Sequence, residues 1–377
     1  MTKTLGAPDL YVQGPGEMNR LQDYVSGLGK AALVVAEEQT MAEMQEPMEK
    51  AFRGTDTSIG YEKFGGMCTS AEIDRLSKAA EAGSYDVVIG IGGGRALDAA
   101  RAAAALHRLP LVAVPTVAAT GAACSSVSVV TDKNGVVRET RAFGTHAGVV
   151  VVDSSLVARQ SPRSLVAGMG SGIAAWLGAR SQRQAGTPNV SGGQESLSAY
   201  AMARTGYDTI LADGLRALVA AQNGMPTPAF EAVLEANILC SGIAFENGVS
   251  AVAFSVANAL TLLPPARTLY AGELAAFGSI VQLILEDVPR TEMDDVMNFF
   301  LSTGLPMTLE DLGLARISST SLKKVAAAAC SHGSSASAIH LGASQDDILG
   351  ALLAASVTGH LYQEEEEGHA DHEGDEG

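Results

Sequence analysis

The chain has 377 residues, too many for one ordinary hydrophobic core and about right for two domains. Hydrophobic residues make up 47% and charged residues 18%, yet no uncharged apolar run approaches the roughly 20 residues that cross a bilayer, so no membrane partner is expected. The formal net charge of −17 argues against a nucleic-acid partner, which requires clustered Lys and Arg.

Along the chain, the first segment, "MTKTLGAPDLYVQGPGEMNR", lacks a basic stretch followed by an apolar one, so no secretory signal is visible and a cytoplasmic address is expected. The first 160 or so residues alternate β-branched runs with alanine-rich helical segments, the pattern of a parallel sheet covered by helices. "KAALVVAE" (30–37), "YDVVIGI" (85–91), "LPLVAVPT" (109–116) and "AGVVVVD" (147–153) are the clearest strands. Between the last two, "SVSVVTDKNGVVRETRAF" reads as a hairpin with Asn134-Gly135 as a type I′ turn. After "RQSPRS" (159–164) strand signals vanish and Ala/Leu/Val segments of helical spacing continue to about residue 362. The pattern predicts an α/β dinucleotide-binding domain over 1–161 and an all-α helical domain over 162–362, with a cleft between them. The segment 364–377, "EEEEGHADHEGDEG", carries eight acidic residues and no Lys or Arg, so 363–377 is expected to be a disordered tail. Cys68, Cys124, Cys240 and Cys330 lie far apart, as buried reduced thiols rather than a disulfide or zinc framework.

Gly90, Gly92, Gly93 and Gly94 lie between an apolar strand and an alanine-rich helix. There, free backbone N–H groups and the helix dipole favour an anion. Arg95 occupies the place of the last glycine of G-x-G-x-x-G, so the stretch departs from that fingerprint, and a plain strand-to-helix turn remains an alternative. Glu37, at the end of the first clear strand, stands where a carboxylate can accept hydrogen bonds from an adenosine ribose. The loop "PTVAATGAACSSVSVV" (115–130) adds Thr116, Thr120 and Ser125 as hydroxyl donors for a phosphate or a nicotinamide amide.

"GIGGGRALDAARA", "VPTVAATGAACSSVSVV", "VVVVDSSLVARQSPRSLVAGMGSGIAAW", "GIAFENG" and "GELAAFGSIVQLILED" together resemble the glycerol dehydrogenases of the iron-containing alcohol dehydrogenase superfamily. The resemblance spans roughly residues 8–358. It implies the two-domain, dehydroquinate synthase-like architecture with NAD or NADP in the cleft. It places Glu37, Gly92, Gly93, Gly94, Thr116, Ser125, Val127 and Val129 against that cofactor. It implies a small organic substrate and leaves room for a homo-oligomer.

In the resembled family one Asp and two His hold a divalent metal that polarises the substrate hydroxyl. By motif match these fall on Ser171, Phe254 and Ala271, and a substrate-associated Asp falls on Gly121. A hydroxyl, a phenyl ring and a methyl group do not make a metal site. The seven histidines agree, since none lies between residues 147 and 331. No metal is therefore expected, and Gly121, Ser171, Phe254 and Ala271 are expected to line an apolar substrate pocket. No general base stands out: Ser171 lacks a nearby His or Lys, and Glu246 and Glu273 read equally well as structural helix residues. Two enzymatic functions compete, beside a non-catalytic binding or scaffold protein, against which the retained glycine loop argues. One is a metal-independent NAD(P)-dependent oxidoreductase acting on an apolar carbonyl or alcohol, in a specialised biosynthetic pathway. The other is a redox-neutral cyclase, isomerase or lyase that orients a bulky substrate.

Overall fold

A computed structural model of the chain describes residues 2–248, 251–331 and 342–374. Six parallel strands form the central sheet: β2 (Leu10–Gly14), β3 (Ala31–Ala36), β4 (Ser58–Lys63), β5 (Val87–Gly92), β6 (Leu111–Pro115) and β9 (Val149–Asp153), in the order β2-β9-β6-β5-β3-β4. The strands β5, β6 and β9 are buried at every residue, which is why they read as unbroken apolar runs. Edge strands β2 and β4 are half-exposed and carry Gln13, Gly60, Glu62 and Lys63, so they left no comparable signal. One face, with Ala32, Val34, Ile89 and Val112, is covered by helices α1 (Leu21–Val25) and α2 (Glu38–Phe52). The other, with Leu33, Val35, Val88 and Ala113, packs on α3 (Ser70–Ala82) and α4 (Gly94–Leu106). The chain passes from β3 to β4 on one side and returns to β5 on the other. The order therefore reverses between β3 and β5, and a crevice opens beyond their carboxyl ends.

The hairpin of β7 (Val127–Thr131) and β8 (Val137–Ala142) forms where expected, but its turn differs. Only Gly135 has a positive φ, at 82°, while Asn134 does not, which excludes the type I′ geometry. Gly135 N–H donates to Asp132 O at 3.0 Å and Asp132 N–H donates to Val136 O at 2.9 Å, giving a longer loop with a bulge between Val130 and Thr131. The Asp132 carboxylate accepts from the N–H of Asn134 and of Val136, and this local capture sets the loop length.

After the short α5 (Ser154–Val157), and apart from β10 (Gln194–Glu195), which pairs with β1 (Lys3–Thr4), the chain from Pro162 is helical: α6 (Pro162–Ala185), α7 (Leu197–Gln222), α8 (Pro228–Glu235), a π-helical turn (Ala236–Cys240), α9 (Ser241–Gly248), α10 (Val252–Leu260), α11 (Ala271–Leu285), α12 (Arg290–Thr303), α13 (Ser319–Ser331) and a C-terminal helix (Gln345–Gly374). The core on the α4 face of the sheet continues without a break into α6, α10 and α11, so both halves share one interior. Among the described residues one helical stretch, Pro228–Gly248, has the length and composition of a membrane span, but 56% of its apolar window is buried inside the protein, and the core accounts for its composition. Of the segment 363–377, expected to be a disordered tail, residues 363–374 continue the last helix, and 375–377 lie outside the described residues. A helix already nucleated by packed residues such as Leu352 and Ala355 extends at little cost, and Glu is a good helix former.

Candidate dinucleotide and substrate cleft

The crevice at the reversal point is a cleft of about 400 Å³ between the sheet and the helical half. Its first wall is the glycine loop. Gly92 ends β5 at φ +146°, a conformation that side chains rarely adopt, and Gly93 is the N-cap of α4. That helix end has no side-chain cap, so its first N–H groups remain available to an anion. Gly93, Gly94 and Arg95 line the cleft, and a Cβ at Gly94 would come within 2.9 Å of Thr120 Oγ1. Glu37, at the N-cap of α2, lines the same cleft.

Ser125, Val127 and Val129 also line it, whereas Gly92 and Thr116 do not. Those two shape the wall from outside the lining, with Thr116 N–H donating to Gly92 O at 3.1 Å. Two of the three hydroxyls expected to reach a ligand, those of Thr120 and Ser125, are engaged within the protein. Thr120 Oγ1 accepts from Ala122 N–H, and Ser125 Oγ donates to Glu246 Oε1 at 3.3 Å while accepting from Val127 N–H at 3.0 Å.

The sequence reading did not select Asp98 and Arg101, three residues apart on α4. Arg101, 1% exposed, donates to Asp98 Oδ1 at 2.7 Å, to Val127 O at 2.9 Å, and to Ala122 O. Asp98 Oδ2 accepts from Val129 N–H at 3.1 Å. Burial pushes the Asp98 carboxyl up, and the guanidinium beside it opposes that rise. This pair fixes Val127 and Val129 against α4. The signal was present as an i, i+3 acid–base pair in an alanine-rich helix, a pattern that normally marks a solvated face. Glu246, 3% exposed on α9, accepts from the N–H of Ser126 and from His146 as well as from Ser125. It therefore holds the loop from the helical side.

All four residues expected in the substrate pocket line the second wall: Gly121, Ser171, Phe254 and Ala271. Helices α6 and α11 meet through glycines. A Cβ at Gly272 would lie 1.7 Å from Ala167 O and 2.8 Å from Ser171 Oγ, so Ser171 sits beside the start of α11, where Ala271 stands. Phe254 packs edge-on to Phe245 with ring centroids 4.8 Å apart at 87°. Gly121 touches α9 so closely that any Cβ would lie 2.2 Å from Gly242 N, so a carboxylate side chain has no room there. The buried Asn237, in the π-helical turn, ties the loop to α6 by donating to Ala118 O and Leu165 O. The remaining wall is largely apolar, with Ala257, Leu269 and Leu274.

The glycine loop, the uncapped helix end and Glu37 fit a dinucleotide. The donor set does not fit a catalytic divalent metal. Among the described residues no His or Cys lines the cleft, its acids are Glu37 and the arginine-paired Asp98, and no group of three His, Cys, Asp or Glu comes together.

Comparison with known proteins agrees with this architecture. Residues 8–154 match the family model described as iron-containing alcohol dehydrogenase. A glycerol dehydrogenase of Escherichia coli O6:H1 is 36% identical over 365 residues, covering 97% of this chain and 100% of that protein. One from Thermotoga maritima is 38% identical over 362 residues, covering 96% and 99%. The crystal structure of a probable glycerol dehydrogenase from Sinorhizobium meliloti 1021 superposes with a TM-score of 0.90 at 33% identity, over 96% of this chain and 99% of that one. With over 30% identity along nearly the whole length of these relatives, the chain belongs to the iron-containing alcohol dehydrogenase family, in its glycerol dehydrogenase-like branch.

Proposed function

We propose that the protein is a metal-independent oxidoreductase that uses NAD or NADP to move hydride to or from the carbonyl or alcohol carbon of a relatively apolar small molecule. The observation that carries this reading is the contrast between the two walls of one cleft. The dinucleotide wall retains the glycine turn and free helix N–H groups, while the facing wall presents Ser171, Phe254 and Ala271 where the family resemblance puts metal ligands. The names of the relatives support the oxidoreductase class, and the loss of donors supports metal independence.

A bound nicotinamide dinucleotide supplies or accepts the hydride. The chain's own part is to hold the pyrophosphate at Gly93 and Gly94, to press Val127 and Val129 against the cofactor, and to exclude water with the Phe245–Phe254 pair. In reduction, the carbonyl oxygen takes a proton as hydride reaches the carbon. Tyr270, next to Ala271 on the wall, carries the phenol that this reading assigns to proton delivery. A redox-neutral cyclase, isomerase or lyase is a second reading, favoured by a lining that holds no histidine among the described residues.

The deciding experiment follows nicotinamide absorbance for chelator-treated protein with an aromatic ketone or with dihydroxyacetone. Chelator-resistant oxidation of NADH or NADPH by the aromatic ketone supports the proposal. Turnover of glycerol or dihydroxyacetone that depends on added zinc overturns it. Dinucleotide binding without hydride transfer to any carbonyl compound favours the second reading.

A further inference from the structure

Arg267 lies on the cleft wall in the short turn before α11. Its Nε donates to Thr261 O at 2.7 Å and its Nη2 donates to Leu262 O at 3.0 Å. Two backbone carbonyls thus hold the guanidinium in one orientation, and neither carries a charge to balance it. No carboxylate lies within ion-pair distance of it among the described residues, whereas the buried Arg101 and the half-buried Arg180 each pair with one. The two acids on the cleft wall do not serve it. Glu37 is at the ribose end, and Asp98 is held by Arg101. Thr261, whose carbonyl receives Arg267, also accepts from Val137 N–H at 3.0 Å, which anchors the turn to the β7–β8 hairpin.

The surroundings define what the charge meets. Asn258 lines the cleft with a side-chain amide that makes no hydrogen bond among the described residues, and Phe245, Phe254 and Leu274 supply an apolar surface. A chain of net charge −17 repels anions at long range, so a fixed, uncompensated guanidinium inside its cleft is a local exception. Cofactor phosphates already have the glycine loop, with Arg95 beside it. We propose that Arg267 is a carboxylate-binding residue, and that the small molecule taken by this cleft is an amphipathic acid with an apolar or aromatic body and one carboxylate. Arginine's planar fork suits that group, and with two of its five N–H donors spent on backbone carbonyls, three remain for the ligand.

This inference rests on the reading that the cleft holds a small molecule beside a dinucleotide, but its test measures binding and not turnover. Calorimetry on the full chain with saturating NAD compares 4-phenylbutyrate with 4-phenylbutyramide, which differ in charge at nearly constant shape. The acid is expected to bind at least about tenfold more tightly than the amide. Arg267→Met removes that preference, and Arg267→Lys retains part of it. Circular dichroism and thermal melting of both variants establish that they fold. Equal affinity for acid and amide, failure of the acid to bind, or an undiminished preference in Arg267→Met overturns the proposal. A loss of NAD affinity in Arg267→Met as large as its loss of acid affinity also overturns it, by assigning the residue to a cofactor phosphate. Arg95→Met serves as the contrast, with a weakened dinucleotide and an unchanged acid-to-amide ratio. Absence of hydride transfer would sink the oxidoreductase reading and leave this one standing.

Discussion

His146 Nε2 donates to Glu246 Oε1 at 2.9 Å, joining the loop before β9 to helix α9 across the seam between the sheet and the helical half. The same carboxylate accepts from Ser126 N–H and from Ser125 Oγ, in the loop that leads into the cofactor-facing strand. Replacing Glu246 with Ala would leave three donors without an acceptor in a buried setting. The expected loss is about 2–4 kcal/mol of stability, read by chemical denaturation, together with weaker NADH binding by fluorescence. Unchanged binding would show that Glu246 supports the fold alone.

Gly94→Val places a side chain against Thr120 Oγ1, which already lies 2.9 Å from the position of a Cβ. A dinucleotide at a hundred times its Kd should stabilise the natural protein by about 2.7 kcal/mol through mass action, and the variant should show no such shift. Should neither NAD nor NADP at millimolar concentration move the melting transition of the natural protein, the cofactor assignment fails.

Gly121→Ala should destabilise by about 1–3 kcal/mol through overpacking, because its Cβ would lie 2.2 Å from Gly242 N on α9. Since the contact joins the 115–130 loop to α9 beside the substrate pocket, the variant's melting temperature and its ketone KM should change together. A variant as stable as the natural protein would contradict the close approach.

Elemental analysis of untagged protein should find well under one equivalent of zinc or iron. The triple variant Ser171→Asp, Phe254→His, Ala271→His should bind zinc more tightly than the natural chain, measured by competition with a chromophoric chelator. Unsupported ligands would limit the gain, since groups around them orient a metal's ligands. A stoichiometric cleft metal in the natural protein would refute the ligand-loss reading.

Burial pushes the Glu195 carboxyl up to about 7, with Arg183 at 3.5 Å opposing that rise. An unfolded Glu releases its proton near 4.3. The folded state therefore holds more protons between these values, and stability falls as pH rises from about 4.5 to about 7, by an amount on the order of 1–3 kcal/mol. Glu195→Gln should flatten that slope in urea titrations across the window. An identical slope in the variant would place its origin elsewhere.

The legible parts of this protein are those where local chemistry and tertiary burial point the same way. Strands β3, β5, β6 and β9 announced themselves because sheet burial leaves no polar residue inside them, apart from the Asp153 that caps the last. Residues of the cleft such as Glu37, Gly93, Ser171 and Phe254 were legible from their motifs. The hairpin turn was misread because Asn-Gly suits a two-residue turn, whereas the Asp132 carboxylate imposes a longer one. In the acidic segment, charge alone carries no signal of the helix that residues 363–374 continue from upstream.

By itself the sequence determined the order of elements, the glycine turn and the absence of histidine between residues 147 and 331, since each depends on residue identity and short-range spacing. Only the tertiary structure decided which side chains share the cleft and which of its charges are already paired. Ser125 and Glu246 lie 121 residues apart, and the Arg267 guanidinium is fixed by carbonyls on its own turn while Asp98 is held by Arg101 on another helix. A hydrogen bond or ion pair depends on distances of a few ångströms between groups that spacing along the chain does not constrain, so the pairing becomes readable only once the chain has closed on itself.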